Sequence, residues 1–253
     1  MTARTAPRFF VPPAPGVRAP MVVGQDVALP PPETHHAAHV LRLGPGDTVE
    51  VFDGCGGAAA GPLVAVDRRS AVVRVETVYP LAAAPRPALR LAFAVPKGKR
   101  LDWLLEKATE LGVARLAPVA FARSVAGRHP LGPGARRRWS ARCIAAAKQA
   151  RVAYLPVVEP VRPVAAAIAP AGPGIVGDPA PGAPGLADAL GALAAATPDT
   201  VHIYVGPEGG LTDDERAAFA GAGVTAVRLG STILRTETAS VALLAATVAL
   251  LGA

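Results

Sequence analysis

Two short stretches of the 253-residue chain hold residue types able to grip a ligand and move a proton. The first, Val205-Gly206-Pro207-Glu208-Gly209-Gly210, directly follows an apolar run at 202–205. Its glycines let backbone amides approach a ligand closely, and Glu208 adds a fixed acceptor or base. A Gly-rich turn at a strand's carboxyl end is where open α/β sheets bind ligands. A tight strand-to-helix turn with no ligand accounts for the glycines about equally well. The spacing fits neither G-x-G-x-x-G nor GxxxxGK[ST], which argues against a nucleotide-phosphate cradle. The second stretch is Leu229-Gly230-Ser231-Thr232-Ile233-Leu234-Arg235-Thr236-Glu237-Thr238-Ala239, at the entry of an apolar helix. Helix capping by Thr236 and dipole complementation by Glu237 explain two of its polar residues. Arg235 is left over, because a cation is unfavourable at a helix amino terminus, and it needs an anionic partner.

The elements that must position these stretches can be read from periodicity. Residues 1–79 read as short strands: Phe9-Phe10-Val11, the alternating Thr48-Val49-Glu50-Val51-Phe52 before an Asp53-Gly54 turn, then 63–67 and 71–78. One helix at 32–41 interrupts them, and the pattern suits a small barrel. Residues 80–88 hold three prolines without periodicity and read as a linker. From residue 89 strands alternate with helices, the sign of a mainly parallel sheet. Strands are expected at 91–95, 115–121, 156–159, 174–178, 201–205 and 225–229. Helices are expected at 101–111, 135–151, 186–196, 213–221 and 237–251. Pro118 argues for an edge position or a late start of its strand. On the helix at 135–151, Trp139, Cys143, Ala146 and Ala150 share one face, opposite Arg137, Lys148 and Arg151.

Composition narrows the function classes. Hydrophobic residues at 51% and charged residues at 18% specify a folded chain, despite 26 glycines and 27 prolines. A net charge of +7 favours a polyanionic partner. Two cysteines, Cys55 and Cys143, make no disulfide framework, and no metal-ligand spacing is visible. No signal-peptide core follows Arg4 and Arg8, and the longest apolar stretch, 241–251, is too short to span a bilayer. A cytoplasmic protein without membrane or metal is expected. His36, His39 and Arg42 lie close together on the amino-terminal helix. Arg42 is the better candidate for an anionic partner, and an ordinary packed histidine is at least as good a reading of His36 or His39 as a phosphate contact.

The two glycine-bearing stretches, about twenty residues apart, resemble the bacterial 16S ribosomal RNA uridine N3-methyltransferase family. Lys97-Gly98-Lys99 with Lys107-Ala108-Thr109-Glu110-Leu111-Gly112-Val113 resembles that family's first catalytic block, with Arg123-Ser124 and Trp139 following in order. His36-x-x-His39-Val40-Leu41-Arg42-Leu43, Gly46-Asp47 and Phe52-Asp53-Gly54 resemble its RNA-binding barrel. The resemblance implies an α/β fold in two domains: a PUA-like RNA-binding β-barrel at 1–79 and, after the 80–88 linker, a trefoil-knotted SPOUT-class methyltransferase domain at 89–253. It implies a homodimer that uses S-adenosylmethionine to methylate N3 of uridine 1498 in 16S RNA of the small ribosomal subunit. The cofactor-binding residues it implies are Gly177, Gly206, Pro207, Glu208, Gly209, Gly210, Leu229, Gly230, Ile233, Leu234 and Thr238. RNA contacts are implied at Arg42, His36, Lys97, Lys99, Arg123 and Arg151.

Several positions depart from the family pattern. Lys148 stands where Glu is usual, and Val152 where Arg is usual, with Arg151 one place earlier. Thr232 replaces a common arginine and Leu211 a common aromatic residue. N3 methylation requires loss of the uracil N3 proton, which places negative charge on the flanking carbonyl oxygens. Arg235 is the expected stabiliser of that charge. Glu237 and Glu208 are the candidate bases, unless they only orient their neighbours. A knotted methyltransferase acting on transfer RNA or on a ribose hydroxyl, and a ribosome-assembly factor without catalysis, are the alternatives.

Overall fold

In a computed structural model, residues 6–13, 20–125, 132–168, 172–180 and 182–252 are described. The chain forms two compact units, one of residues 1–84 with 147–155 and one of residues 85–146 with 156–253. Residues 147–155 thus group with the amino-terminal strands, although sequence reading ran the second domain unbroken from 89.

The first unit comprises β1 (Arg8–Phe10), β2 (Asp26–Ala28), α1 (Pro31–His35), a π-helical turn (His36–Val40), β3 (Thr48–Phe52), β4 (Ala58–Val66), β5 (Ala71–Arg74) and β6 (Thr77–Val78). The strands form one sheet in the order β1-β3-β4-β5-β2, with β6 paired to β4. The long β4 pairs with β3 and β6 along its first half and with β5 along its second, across a register shift between Leu63 and Ala65. Gly61 sits at this change of partner. A Cβ there would lie 1.8 Å from the carbonyl oxygen of Arg74, so only glycine lets the two chains cross. This crossing divides the expected 71–78 strand into β5 and β6. The expected helix at 32–41 becomes α1 and the π turn, closed by the Leu41 amide donating to the His36 carbonyl at 2.9 Å. Phe9, Val49, Val51, Leu63 and Val73 fill the core.

The same unit explains two departures from the family pattern. The Lys148 ammonium donates to Glu33 Oε2 at 2.6 Å, with both side chains largely buried. The unusual cation therefore has a carboxylate waiting for it. Arg151, with a left-handed φ of 58°, pairs with Glu50. Glu50 also meets Arg8 at 2.7 Å, and the Arg8 guanidinium lies over the Phe52 ring while donating to the carbonyls of Ala147 and Val152. Arg151 is thereby paired with a buried carboxylate while its side chain stays 42% exposed.

The second unit comprises β7 (Ala88–Ala94), α2 (Lys99–Glu110), β8 (Arg115–Ala120), α3 (Pro133–Ala150, its last turn belonging to the first unit), β9 (Val157–Val158), β10 (Arg162–Pro163), α4 (Val164–Ile168), β11 (Gly174–Gly177), α5 (Leu186–Ala196), β12 (Thr200–Val205), α6 (Asp213–Gly221), β13 (Thr225–Val227) and α7 (Thr236–Leu251). Its sheet is parallel throughout, in the order β10-β8-β7-β12-β11-β13, with β9 also on β8. Alternation along the strands feeds two cores. Leu89, Leu91 and Phe93 pack with α2, α5 and α7, while Ala92, Ala94 and Tyr204 pack with α4 and α6. Trp139 and Cys143 of α3 join the first core, whereas Ala150 is exposed at the helix end. Pro118 lies inside the sheet, not at its edge. The two-residue β9 and β10 pair only with Arg115–Leu116 and Val119–Ala120, so nothing on that side needs a hydrogen bond from Pro118. No helix among the described residues is long and apolar enough to cross a membrane.

Candidate cofactor pocket and its charged neighbourhood

The carboxyl ends of the adjacent strands β12, β11 and β13 open into three loops that line one pocket. Gly177 ends β11, and Asp178 and Pro179 come from the loop after it. Gly206, Pro207, Glu208 and Gly210 follow β12, and Leu229, Gly230, Ile233 and Leu234 follow β13. Crevices outside the carboxyl ends of parallel strands are the usual ligand sites of such sheets.

The glycine-rich turn is held from two sides. The Thr236 hydroxyl donates to the Gly206 carbonyl at 3.0 Å. Thr236 is thus the first residue of α7, not its cap; Arg235 occupies the cap position with extended backbone and no capping side-chain bond. On the other side, Arg123 Nη1 donates to the carbonyls of Gly209 and Leu211, at 2.9 and 3.3 Å. Nearby, Glu215 closes a capping box with Thr212 and accepts from the Ala122 amide at 2.8 Å. The loop after β8 therefore braces the turn, with Arg123 bonded to its backbone.

A Cβ at Gly206 would come within 2.8 Å of the buried Leu211 side chain, and one at Gly177 within 3.2 Å of Leu243. Bare backbone at these strand ends leaves both leucine side chains in place. Asp178 is buried and accepts from Arg216 Nε at 2.7 Å, a bond that holds the guanidinium more firmly in its charged form.

Two expected cofactor residues stand apart. Gly209 turns its open side to Arg123, and Thr238 is exposed; Thr236 and Ala239 line the pocket instead. One helical turn sets this choice, since Thr236 and Ala239 share a face that Thr238 does not. Among the catalytic candidates only Glu208 lines the pocket. Arg235 is exposed and has no ion-pair partner among the described residues, so the partner its charge requires does not come from these residues. Glu237 is buried at the start of α7, with Oε2 accepting no hydrogen bond from the described residues. An orphaned buried acceptor costs about 1–3 kcal/mol, more when charged, although the helix dipole offsets part of this.

Arg100 of α2, a residue the sequence reading passed over, stands between the two carboxylates. Its Nη1 lies 3.6 Å from Glu208 Oε1, and its Nε lies 4.0 Å from Glu237 Oε1. The only signal for it was its place next to Lys97-Gly98-Lys99. Lys97 and Lys99 are both exposed around the α2 amino terminus. A second pocket opens here, lined by Val95, Pro96, Lys97 and Arg100 and sharing Pro207 and Glu208 with the first.

In the first unit, Arg42 is exposed, with a left-handed φ of 56°. His36 is half-buried, edge-on to Phe9, and burial and Lys148 push its pKa down. A neutral, packed His36 is a poor phosphate contact.

Known proteins share this arrangement. Residues 84–248 match the RNA methyltransferase domain model, and residues 29–76 match the RNA methyltransferase PUA domain model. A Mycobacterium tuberculosis protein named ribosomal RNA small subunit methyltransferase E is 34% identical over 248 residues, covering 94% of this chain and 89% of its own. A Synechocystis protein of the same name is 32% identical, with 91% and 75% covered. The crystal structure of the Neisseria gonorrhoeae protein of that name, bound to S-adenosyl methionine, superimposes with a TM-score of 0.82 at 30% identity, covering 97% and 98%. A two-unit α/β chain with a PUA domain, a parallel sheet and this loop-lined pocket thus belongs to the ribosomal RNA small subunit methyltransferase E family of RNA methyltransferases.

Proposed function

We propose that this protein transfers a methyl group from S-adenosylmethionine to N3 of a uridine in the 16S RNA of the small ribosomal subunit. The observation that carries the reading is the single pocket closed by the three loops after β11, β12 and β13, in a chain of this family. Its chemistry suits the cofactor. Leu229, Ile233 and Leu234 offer apolar surface to an adenine ring, and the bare backbone at Gly177 and Gly206 admits close approach. When bound, the cofactor supplies an electrophilic methyl group on a sulfonium.

The protein's own residues do the rest. Gly206, pinned by Thr236 and placed by Arg123 through the following turn, fixes one wall of the pocket. Preorganised walls hold reactants in line and supply much of a transfer rate. Glu208, half-exposed at the rim, accepts the N3 proton and exchanges it with solvent. Glu237 is too buried for that exchange and acts on its neighbours through its charge. Arg235, flanked by the pocket residues Leu234 and Thr236, presents positive charge to the RNA at the mouth. Exposed Arg42, Lys97 and Lys99 add phosphate contacts.

The same reading includes the trefoil knot of the SPOUT class, work in the cytoplasm, and a homodimer. Light scattering on the purified protein is expected to give twice the chain mass, and a monomer would remove the dimer from the reading. The ribosome-assembly alternative drew on Lys148 and Val152, and the Glu33 partner of Lys148 answers the first of these. Calorimetry with S-adenosylmethionine, followed by label transfer to unmodified small subunits, tests the function. Binding and transfer are expected; absence of both contradicts it.

A further inference from the structure

We propose that the second pocket receives the target pyrimidine, flipped out of its RNA stack, and that Arg100 donates to a ring carbonyl as N3 loses its proton. The inference rests on the methyl-transfer reading and gives that reading its acceptor subsite.

Position comes first. The second pocket lies at the carboxyl end of β7, immediately beside β12, and the two pockets share the wall made by Pro207 and Glu208. A group held in one pocket therefore meets a group held in the other across Glu208. A base inside a helix cannot present N3 to such a wall, so it must be extruded. Val95 and Pro96 give a flipped ring apolar surface, and Lys97 faces the entering backbone with positive charge.

Charge comes second. Arg100 is the one guanidinium among the described residues that lines this pocket, whereas Arg235 lines neither pocket. Its contacts with Glu208 and Glu237, at 3.6 and 4.0 Å, balance its charge at distances too long for hydrogen bonds. Its N–H groups therefore remain unspent among the described residues, and its side chain is 46% exposed. The buried Glu237, with one oxygen lacking a donor among the described residues, attracts the guanidinium from 4.0 Å. A cation held in place with free donors is the arrangement that stabilises a developing anion.

The step balances. The N3–H bond breaks and its proton passes to the Glu208 carboxylate. The electron pair left on N3, shared with the flanking carbonyl oxygens, forms the new N–C bond to the methyl group. The electrons of the broken C–S bond leave on sulfur as a neutral thioether. Arg100 holds the negative charge while it resides on the carbonyl oxygen.

Single-turnover methylation of unmodified small subunits by Arg100→Ala, Arg100→Lys and wild type, across neutral to alkaline pH, tests this. The alanine variant is expected to be slower by about 10²–10³-fold at neutral pH, the typical effect of removing one oxyanion donor. The deficit should shrink as alkali removes the N3 proton unaided, Lys should restore part of the rate, and cofactor affinity should stay unchanged. Plugging the pocket at an exposed position with Val125→Trp should raise the KM for RNA without changing cofactor affinity. A rate within twofold of wild type in Arg100→Ala overturns the proposal. So does a deficit that is constant with pH or tracks lost cofactor binding, and so does an unchanged KM in Val125→Trp. If wild type itself makes no methylated uridine, the underlying function fails, and that outcome is distinguishable from these.

Discussion

At the scale of single residues, the pocket depends on a few short bonds between loops. Thr236 joins the first turn of α7 to the end of β12, so Thr236→Val removes the donor that fixes Gly206. One hydrogen bond of this kind contributes about 1 kcal/mol. Calorimetry is expected to show S-adenosylmethionine binding about fivefold to tenfold weaker, with little change in global stability. An unchanged affinity would mean that Gly206 is fixed by packing on Leu211 alone. Replacing Arg235 with Ala is expected to cut turnover and leave cofactor affinity nearly intact, since its charge faces outward; unchanged single-turnover rates would remove it from the mechanism. Most pocket residues were legible in the sequence, because glycines after an apolar strand report local turn geometry. Arg100, Asp178 and Arg123 were not legible in their roles. Each acts on a residue 38 to 137 positions away, and neighbouring strand ends, not spacing, bring the partners together.

At the scale of elements, charge matching between segments explains what composition could not. Lys148 reads as an oddity in its own helix and as half of an ion pair beside α1. Lys148→Glu would set two carboxylates together in a largely buried place and is expected to destabilise the fold by about 3–5 kcal/mol. Adding Glu33→Lys should recover a large part of that loss, measured by denaturant unfolding. No recovery in the double variant would show that the pair does not act as a unit. His202 on β12 gives a second handle. Its pKa is pushed down chiefly by burial and further by Arg90 of β7, with Glu159 opposing; Tyr204 stacks on it from the same strand. The folded state thus binds fewer protons than the unfolded one below about pH 6.5, and stability falls as pH drops through that value. The loss reaches at most about 2 kcal/mol near pH 5 from this residue, and half-buried His36 adds a contribution of the same sign. His202→Leu should flatten the dependence, and an unaltered slope would show that His202 is not its source. Helices near 186–196 and 213–221 were readable in the sequence, and the second begins at a Thr212–Glu215 capping box. The π turn and the β5–β6 break were not, because both follow from pairing across the sheet.

At the scale of the whole molecule, a net charge of +7 and exposed cations in both units favour an RNA partner. Binding to RNA should weaken steeply with salt, because phosphate contacts release counterions. The change of rhythm at residue 89 marked the start of the parallel sheet. Residues 147–155 could not be assigned from sequence, since long-range ties to Arg8, Glu33, Glu50 and the 54–56 turn set them with the first unit. The central claim is the transfer of a methyl group to uridine N3 in small-subunit RNA. Its most direct test is to incubate the purified protein with S-adenosylmethionine and unmodified small subunits, digest the RNA, and identify the methylated nucleosides by mass spectrometry. The expected product is 3-methyluridine. Methylation at a ribose hydroxyl or on another base, or no methylation by a protein that binds the cofactor, would contradict it.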